Sequence, residues 1–327
     1  MDRDNTRYGG QGAARAGVSG WALLLCLVLA GSGSPARATQ VLRFNEVTVP
    51  VAEQGAAFQE AMRVALVRAT GRRDAALDPA LQPLVSDARR YVQIYRPASG
   101  GSGTQVTFDA AAVERAIVAA GRSVWPRERP VALVVITQAP PGADPAAARR
   151  ALEDVASARG LPVSLAPAQS AGLSGAVSVT SEVALAAARR LGADVALVGR
   201  GDASGWQWTY FGASDEQAFS GGIGAGIEGA ADALAADAQA LMAQPELEAL
   251  VQVGGVATLA GYAQASRLLG AAAGVGSVTL VEADADSAVF RVMVRGGPEG
   301  LAAALATNPR LRALEGGAQR MAYTLEP

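Results

Sequence analysis

The chain contains no histidine and no lysine, and all 28 of its basic residues are arginine. Arginine stays protonated far above neutral pH and does not pass protons there. These absences exclude His-dependent triads, His-ligated zinc, Schiff-base lysine and the lysine of a phosphate-binding loop. Any catalysis would fall to carboxylates, tyrosine or backbone groups. The single cysteine, Cys26, sits in an amino-terminal apolar run. Loss of that run leaves neither a disulfide nor a thiolate. Aromatic residues make up only 5% of the chain, so its core must bring helices and strands close with few large anchors. Half of the 327 residues are apolar, enough to fill two or three domains of ordinary size.

The amino-terminal end stands apart. Arg3, Arg7 and Arg15 precede the apolar stretch "WALLLCLVLA", Trp21 to Ala30. That stretch suits a signal-peptide core and is shorter than the roughly 20 residues of a membrane span. Ala36 and Ala38 supply the small residues a signal peptidase reads, so cleavage is expected after Ala38. Leu23, Leu24 and Leu25 precede Cys26 in place of the small residues of a lipoprotein signal, so no lipid anchor is expected. Residues 1–38 carry four arginines and two aspartates, a net +2, which leaves the remainder at −4 against −2 for the whole chain. A mildly acidic chain has no electrostatic footprint for nucleic acid and no polybasic patch for anionic lipid. No nucleic acid and no stable membrane insertion after cleavage are expected.

Three units are legible after the leader, over residues 39–128, 129–245 and 246–327. In the first, "VLRFNEVTV" (Val41 to Val49) reads as a strand. Phe58, Ala61, Met62, Ala65, Leu66 and Ala69 fall on one helical face that ends at Gly71. "PALQPLVSDARRYVQIY" reads as a second helical stretch interrupted by prolines. A strand then ends at Phe108, and Asp109 caps a helix whose Val113 and Ile117 share a face.

The stretches "VPVAEQ…AL…ATGRRD…LVSDARRYVQIY", "TFDAAAVERAI…W…RPVALVVI" and "LGADVALVGR" together resemble an uncharacterised family of exported Gram-negative proteins, domain of unknown function number two thousand and sixty-six. The resemblance implies export to the periplasm and a mixed α/β build. It brings no catalytic residues.

The second unit alternates strand and helix. "VALVVIT", "LPVSL" and "ADVALVG" read as parallel strands, the first followed by a helix that starts at Asp144-Pro145 and stops at Gly160. "GWQWTYFG" and "EQAFSGG" follow as an antiparallel hairpin, and a last helix ends near Gln244-Pro245. The expected fold is thus α/β with a parallel βαβαβ sheet plus a hairpin, similar to small domains of some envelope-assembly proteins. The third unit reads as strand (Leu250 to Val253), helix (Thr258 to Ala272), strand (Val278 to Glu282), strand (Val289 to Arg295), helix (Glu299 to Ala306) and strand (Ala322 to Leu325). That is the βαββαβ order of a ferredoxin-like split unit, an α+β arrangement.

Four stretches invite functional readings. Gly224, Gly226 and Gly229 spell G-x-G-x-x-G. A dinucleotide loop needs a parallel strand before it and an acidic strand end about 20 residues on. A hairpin precedes this one, so the expected role is a loop entering an alanine-rich helix, with no cofactor. Trp206, Trp208 and Tyr210 share one strand face. Aromatic strands are usually core, so a helix should cover them; the alternative is a solvent-facing stripe that stacks on a sugar ring or a partner. Arg200 and Asp202 follow the third parallel strand. With Gln138 they form the one pocket topology suggests, against a mutual salt bridge or solvated turn. The three carboxylates of "EADADS", Glu282 to Ser287, lack the spacing of a calcium loop and read as a hairpin tip. No metal site is expected. The paired arginines at 72–73, 89–90, 149–150 and 189–190 read as solvated helix ends.

Export, missing proton-transfer side chains and the absence of a catalytic motif point to a non-catalytic periplasmic interaction or envelope-assembly module. Its partner would be an envelope protein or glycan. The alternatives are a binding protein for a small polar or carbohydrate ligand and a carboxylate-dependent glycan hydrolase.

Overall fold

A computed structural model describes residues 40–98, 103–175, 178–212, 215–306, 308, 310–314 and 320–326. The leader and the expected cleavage site after Ala38 lie outside these residues. The fold is mixed α/β, built on sheets of three, five and five strands and a two-stranded ribbon.

The stretch expected as one strand, 41–49, divides at a turn. β1 (Gln40–Val41) pairs with β5 (Glu128–Arg129), whereas β2 (Glu46–Val49) joins a three-stranded antiparallel sheet ordered β2-β4-β3. α1 (Gln54–Thr70) lays its expected face on that sheet, burying Phe58, Ala61, Met62, Ala65, Leu66 and Ala69. Glu53 starts α1 by accepting the Gly55 and Ala56 amides, and Gly71 ends it at φ 73°, where a Cβ is strained. The stretch ending in "YVQIY" departs from expectation. A short α2 (Gln82–Ser86) and a 3-10 turn give way to strand β3 (Val92–Pro97). Its β-branched Val92 and Ile94 and aromatic Tyr95 suit a strand, and β4 (Thr104–Phe108) supplies the pairing that decides the matter. Asp109 caps α3 (Ala110–Ala119) through the Ala112 amide at 3.0 Å, and Val113 and Ile117 are buried.

The middle sheet runs β10-β9-β8-β6-β7. β6 (Ala132–Gln138) is parallel to β7 (Val163–Leu165) on one side and β8 (Val195–Asp202) on the other. β9 (Gly205–Phe211) and β10 (Glu216–Gly221) continue antiparallel from β8. α4 (Pro145–Arg159) and α7 (Ala225–Ala243) cover one face. α5 (Ala168–Ala171), a short helix not read from sequence, and α6 (Ser181–Arg190) cover the other. The two parallel crossovers therefore lie on opposite faces, and the chain reverses between the carboxyl ends of β6 and β8.

The third sheet runs β12-β13-β11-β15-β14, from β11 (Glu246–Gly254), β12 (Val275–Ala283), β13 (Ser287–Arg295), β14 (Leu311–Leu314) and β15 (Met321–Leu325). α8 (Leu259–Gly270) and α9 (Gly297–Ala306) share its core. The βαββαβ order read from sequence lacks one strand found here. β14 forms the edge, and β15 inserts between it and β11, parallel to β11. In β14 only Leu311 is buried, so the strand shows no apolar alternation to read.

Candidate functional site

The topological crevice lies where open α/β sheets usually hold ligands, at the carboxyl ends of β6 and β8. Here it is occupied by the protein itself. Arg200 donates from Nη2 to Gln138 Oε1 at 3.3 Å across the two strands. Pro140 packs so tightly on Gly201 that a Cβ there would lie 2.6 Å from the proline ring. Asp202 closes the β8–β9 turn, accepting the Ser204 amide at 2.7 Å and its hydroxyl at 2.5 Å. Those hydrogen bonds hold the Asp202 carboxyl below its ordinary range. Arg200 and Asp202 stay exposed at this rim, with Trp206 half-buried beside them.

Of the stripe Trp206, Trp208 and Tyr210, two members are withdrawn from solvent and only Trp206 reaches it. Trp206 and Trp208 stack at 5.7 Å, but Trp208 and Tyr210 are each 1% exposed. The G-x-G-x-x-G glycines explain why. Gly226 brings α7 so close that a Cβ would sit 2.4 Å from Trp208 Cγ, and Gly229 meets Phe219 at 2.5 Å in the same way. Gly224 rests on Val155 of α4. The three glycines let α7 lie directly on the aromatic hairpin. The hairpin before them is antiparallel, so they do not open a phosphate crevice beside a parallel strand.

A second constellation was not read from sequence. Arginines seam the first unit to the middle one by gripping helix-end carbonyls, the groups a helix cannot satisfy itself. Arg68 donates from Nε to Ser157 O at 2.7 Å, from Nη1 to Glu46 O at 2.9 Å and from Nη2 to Ser157 Oγ at 3.1 Å. Fully buried Arg129 donates to the carbonyls of Pro126, Gly160 and Arg68, with its guanidinium 3.8 Å from the Trp125 ring centre. Arg159, its side chain 3% exposed, donates from Nη2 to Gly71 O at 2.7 Å and Asp232 Oδ1 at 2.6 Å, and from Nη1 to Glu228. Arg73 closes the quartet onto Asp232 and Glu228. Arg72 and Arg73 follow the end of α1 and stay partly exposed, as read from sequence, but each is also ion-paired, Arg72 to Asp74 and Asp78 and Arg73 to Glu228 and Asp232. The only advance signal was the all-arginine basic set, since the planar fork suits this task and an ammonium does not. A cavity of about 380 Å³ opens beside the seam, lined by Gly71, Arg72, Arg73, Asp74, Asp232 and Gln239. Its lining charges cancel in pairs, Arg72 and Arg73 against Asp74 and Asp232.

Asp78 is the buried carboxylate among the described residues. It accepts Arg122 Nε at 2.6 Å and Nη2 at 3.0 Å, the Ala80 amide at 3.0 Å and Arg72 Nη1 at 3.1 Å. The Arg122 hydrogen bonds, more than any other partner, hold its carboxyl far below the usual range. Stability from this group is therefore complete above the ordinary carboxylate pKa and is lost as pH falls through the depressed folded value. Acid titration followed by denaturant unfolding is expected to show a shallower loss for Asp78→Asn than for the native chain. Equal slopes would mean that Asp78 does not contribute to acid sensitivity.

Among the remaining acids, Asp215 and Asp237 lie close enough to act on one another and on the buried Tyr210. Asp284 and Asp286 sit at the β12–β13 turn, as read from sequence, where their carbonyls accept from Tyr262 Oη and the Gly255 amide. Burial and Asp215 raise the carboxyl of Asp237, a surface residue of α7. No group of three or more His, Cys, Asp or Glu among the described residues is placed to hold a metal. No described helix is long and apolar enough to cross a membrane.

The first unit bounds a recognisable segment, from β1 to the turn before β5. Residues 38–126 match the family described as Domain of unknown function (DUF8605). This corrects the resemblance to domain of unknown function number two thousand and sixty-six. The stretches that suggested it are helix faces, caps and strand ends, which many α/β chains share. The DUF8605 segment ends just after Trp125, whose indole belongs to the core of the middle sheet, and just before Arg129. No curated protein and no solved structure matches the chain.

Proposed function

We propose that the chain is an exported, periplasmic interaction module of the cell envelope that works by contact and without catalysis. One observation carries this reading, namely the use made of acids. Asp78 is held ionised by arginines, and Glu228 and Asp232 are consumed by Arg73 and Arg159. None of these is a carboxyl kept neutral in a dry cleft, as a glycan-cleaving acid would be, and Asp237, the one carboxyl raised among the described residues, is exposed on α7. The leader and its Ala36-x-Ala38 site support export. The C-terminal unit reads as a ferredoxin-like split unit extended by one strand. Burial of Trp208 and Tyr210 leaves the ligand-binding alternative only Trp206 as a stacking surface.

The test is residue-specific photo-crosslinking of the exported full chain in living cells, with probes at Ile94, Val183 and Val281 on three separate faces. A discrete adduct from one face, absent from the others, is the expected result. Purified protein that hydrolyses envelope glycan strands, and ceases to on a single Asp→Asn change, would overturn the proposal.

A further inference from the structure

β3 is the open margin of the three-stranded sheet. Five of its six residues are exposed, with Ile94 at 60% and Tyr95 at 54%. Most edge strands are blunted by shortness, charge, bulges or cover. The opposite margin, β2, is covered by Arg68, which takes the Glu46 carbonyl. β7 has three residues and β14 has four. β12 carries two register irregularities, and the Glu246 carboxylate lies over its Gly276. The bulge of β3 falls only at its start, between Val92 and Ile94, and its last residue, Pro97, offers no N–H; the edge strand β10 has five exposed residues of six but carries no arginine.

The surroundings of β3 are basic. Arg89 and Arg90 are exposed just before it, Arg96 is exposed within it, and Asp87 is the nearby acid in sequence. The guanidinium of Arg96 is steered along the strand face by Gln105 Oε1 at 2.7 Å. Arg68, Arg72, Arg73, Arg122, Arg127, Arg129 and Arg159 all grip protein oxygens. Arg89 and Arg90 make no ion pair or side-chain hydrogen bond among the described residues. Tyr95 is held from beneath by Phe58, edge to face at 5.2 Å.

We infer that β3 receives an extended, acidic peptide segment of a partner protein as a fourth strand. The inference rests on the interaction-module reading and names its surface and partner class. Outward backbone groups of β3 supply main-chain hydrogen bonds, and side-chain alternation supplies selectivity. Ile94 and Arg96 share one face, so the segment places an apolar residue opposite the first and Asp or Glu opposite the second. Further acidic residues reach Arg89 and Arg90 at the end of the strand.

The test titrates the purified exported chain with a nine-residue peptide alternating Glu and Val, followed by backbone amide shifts. Two controls accompany it, a Lys/Val peptide and a Glu/Val peptide with a central proline. Saturable binding of the first alone, with shifts confined to β3 and β4, is the expected result. The Arg89→Glu/Arg90→Glu variant is expected to bind about tenfold more weakly, since each exposed ion pair contributes only a few-fold. Unchanged thermal unfolding of that variant assigns the loss to the edge. Equal binding of either control, shifts centred elsewhere, or no binding overturns the inference. So does self-association of the chain through β3, which would make a second copy the occupant. A recurrent cellular adduct at another face, with no peptide binding here, would sink this inference and leave the module reading standing.

Discussion

Arg129→Ala is expected to lower the unfolding free energy by about 3–5 kcal/mol, the range for breaking a buried charged network. The removed guanidinium serves the carbonyls of Pro126, Gly160 and Arg68, at a position with no solvent exposure. The bond to Gly160 is buried and those to Pro126 and Arg68 are partly so, and each buried group left unpaired costs about 1–3 kcal/mol. The charge is balanced by carbonyls, including the carboxyl ends of α1 and α4, where helix dipoles favour a cation. Burial, and then the neighbouring Arg68, push Arg129 down to about 9, so it is still charged at neutral pH. Arg129→Lys is expected to recover less than about half of the loss, because a point ammonium cannot reach three diverging carbonyls or lie flat on Trp125. The seam joins two cores, so Arg129→Ala is also expected to split the unfolding of the first unit from that of the middle one. Denaturant melts followed by Trp fluorescence and by far-UV dichroism measure both effects. A loss within about 0.5 kcal/mol of zero, as for a surface change, would contradict the clamp.

Such a clamp could not be read from the sequence, and the reason is distance along the chain. Arg129 meets Gly160 across 31 residues and Arg68 across 61, while Arg159 meets Gly71 across 88. Periodicity and capping report only on neighbours up to about four residues apart. That is why the buried face of α1, the Asp109 and Asp144 caps and the parallel strands of the middle sheet were legible. The misread elements share a different cause. Val92 to Tyr95 was grouped with the helical stretch before it, although its β-branched and aromatic residues favour a strand once β4 is there to pair with. β14 has four residues and one buried side chain, too little for a pattern. At the candidate site, sequence placed Arg200 and Gln138 on adjacent strand ends correctly. It could not show that the two hydrogen-bond directly, or that Pro140 packs on Gly201 beside them. The charged seam was hidden among arginines that read, pair by pair, as solvated caps.

Gly226→Ala should destabilise the protein, although alanine is the better helix former by about 1 kcal/mol. The two effects oppose each other, and geometry decides the sign. An alanine Cβ at 226 would stand 2.4 Å from Trp208 Cγ, and a Cβ at Gly199 would likewise stand 2.4 Å from Cζ3 at the other end of the indole. The ring is held between strand and helix and cannot step aside. Relief requires α7 to lift off the sheet, parting Ile227, Ala230 and Ala231 from the core. A net loss of about 1–3 kcal/mol is expected, as for other overpacked cores. Trp208→Ala removes the obstacle and leaves a cavity, at an expected cost of about 3–5 kcal/mol. Trp208→Phe should cost less, because it also deletes an indole N–H that is buried without a hydrogen-bond partner. The Gly226→Ala/Trp208→Ala pair should be less destabilised than the sum of its singles, since the added methyl occupies space that the ring vacates. If Gly226→Ala instead raises the denaturation midpoint, α7 does not rest on Trp208. The three glycines would then need another explanation, and the phosphate-loop reading would have to be reopened.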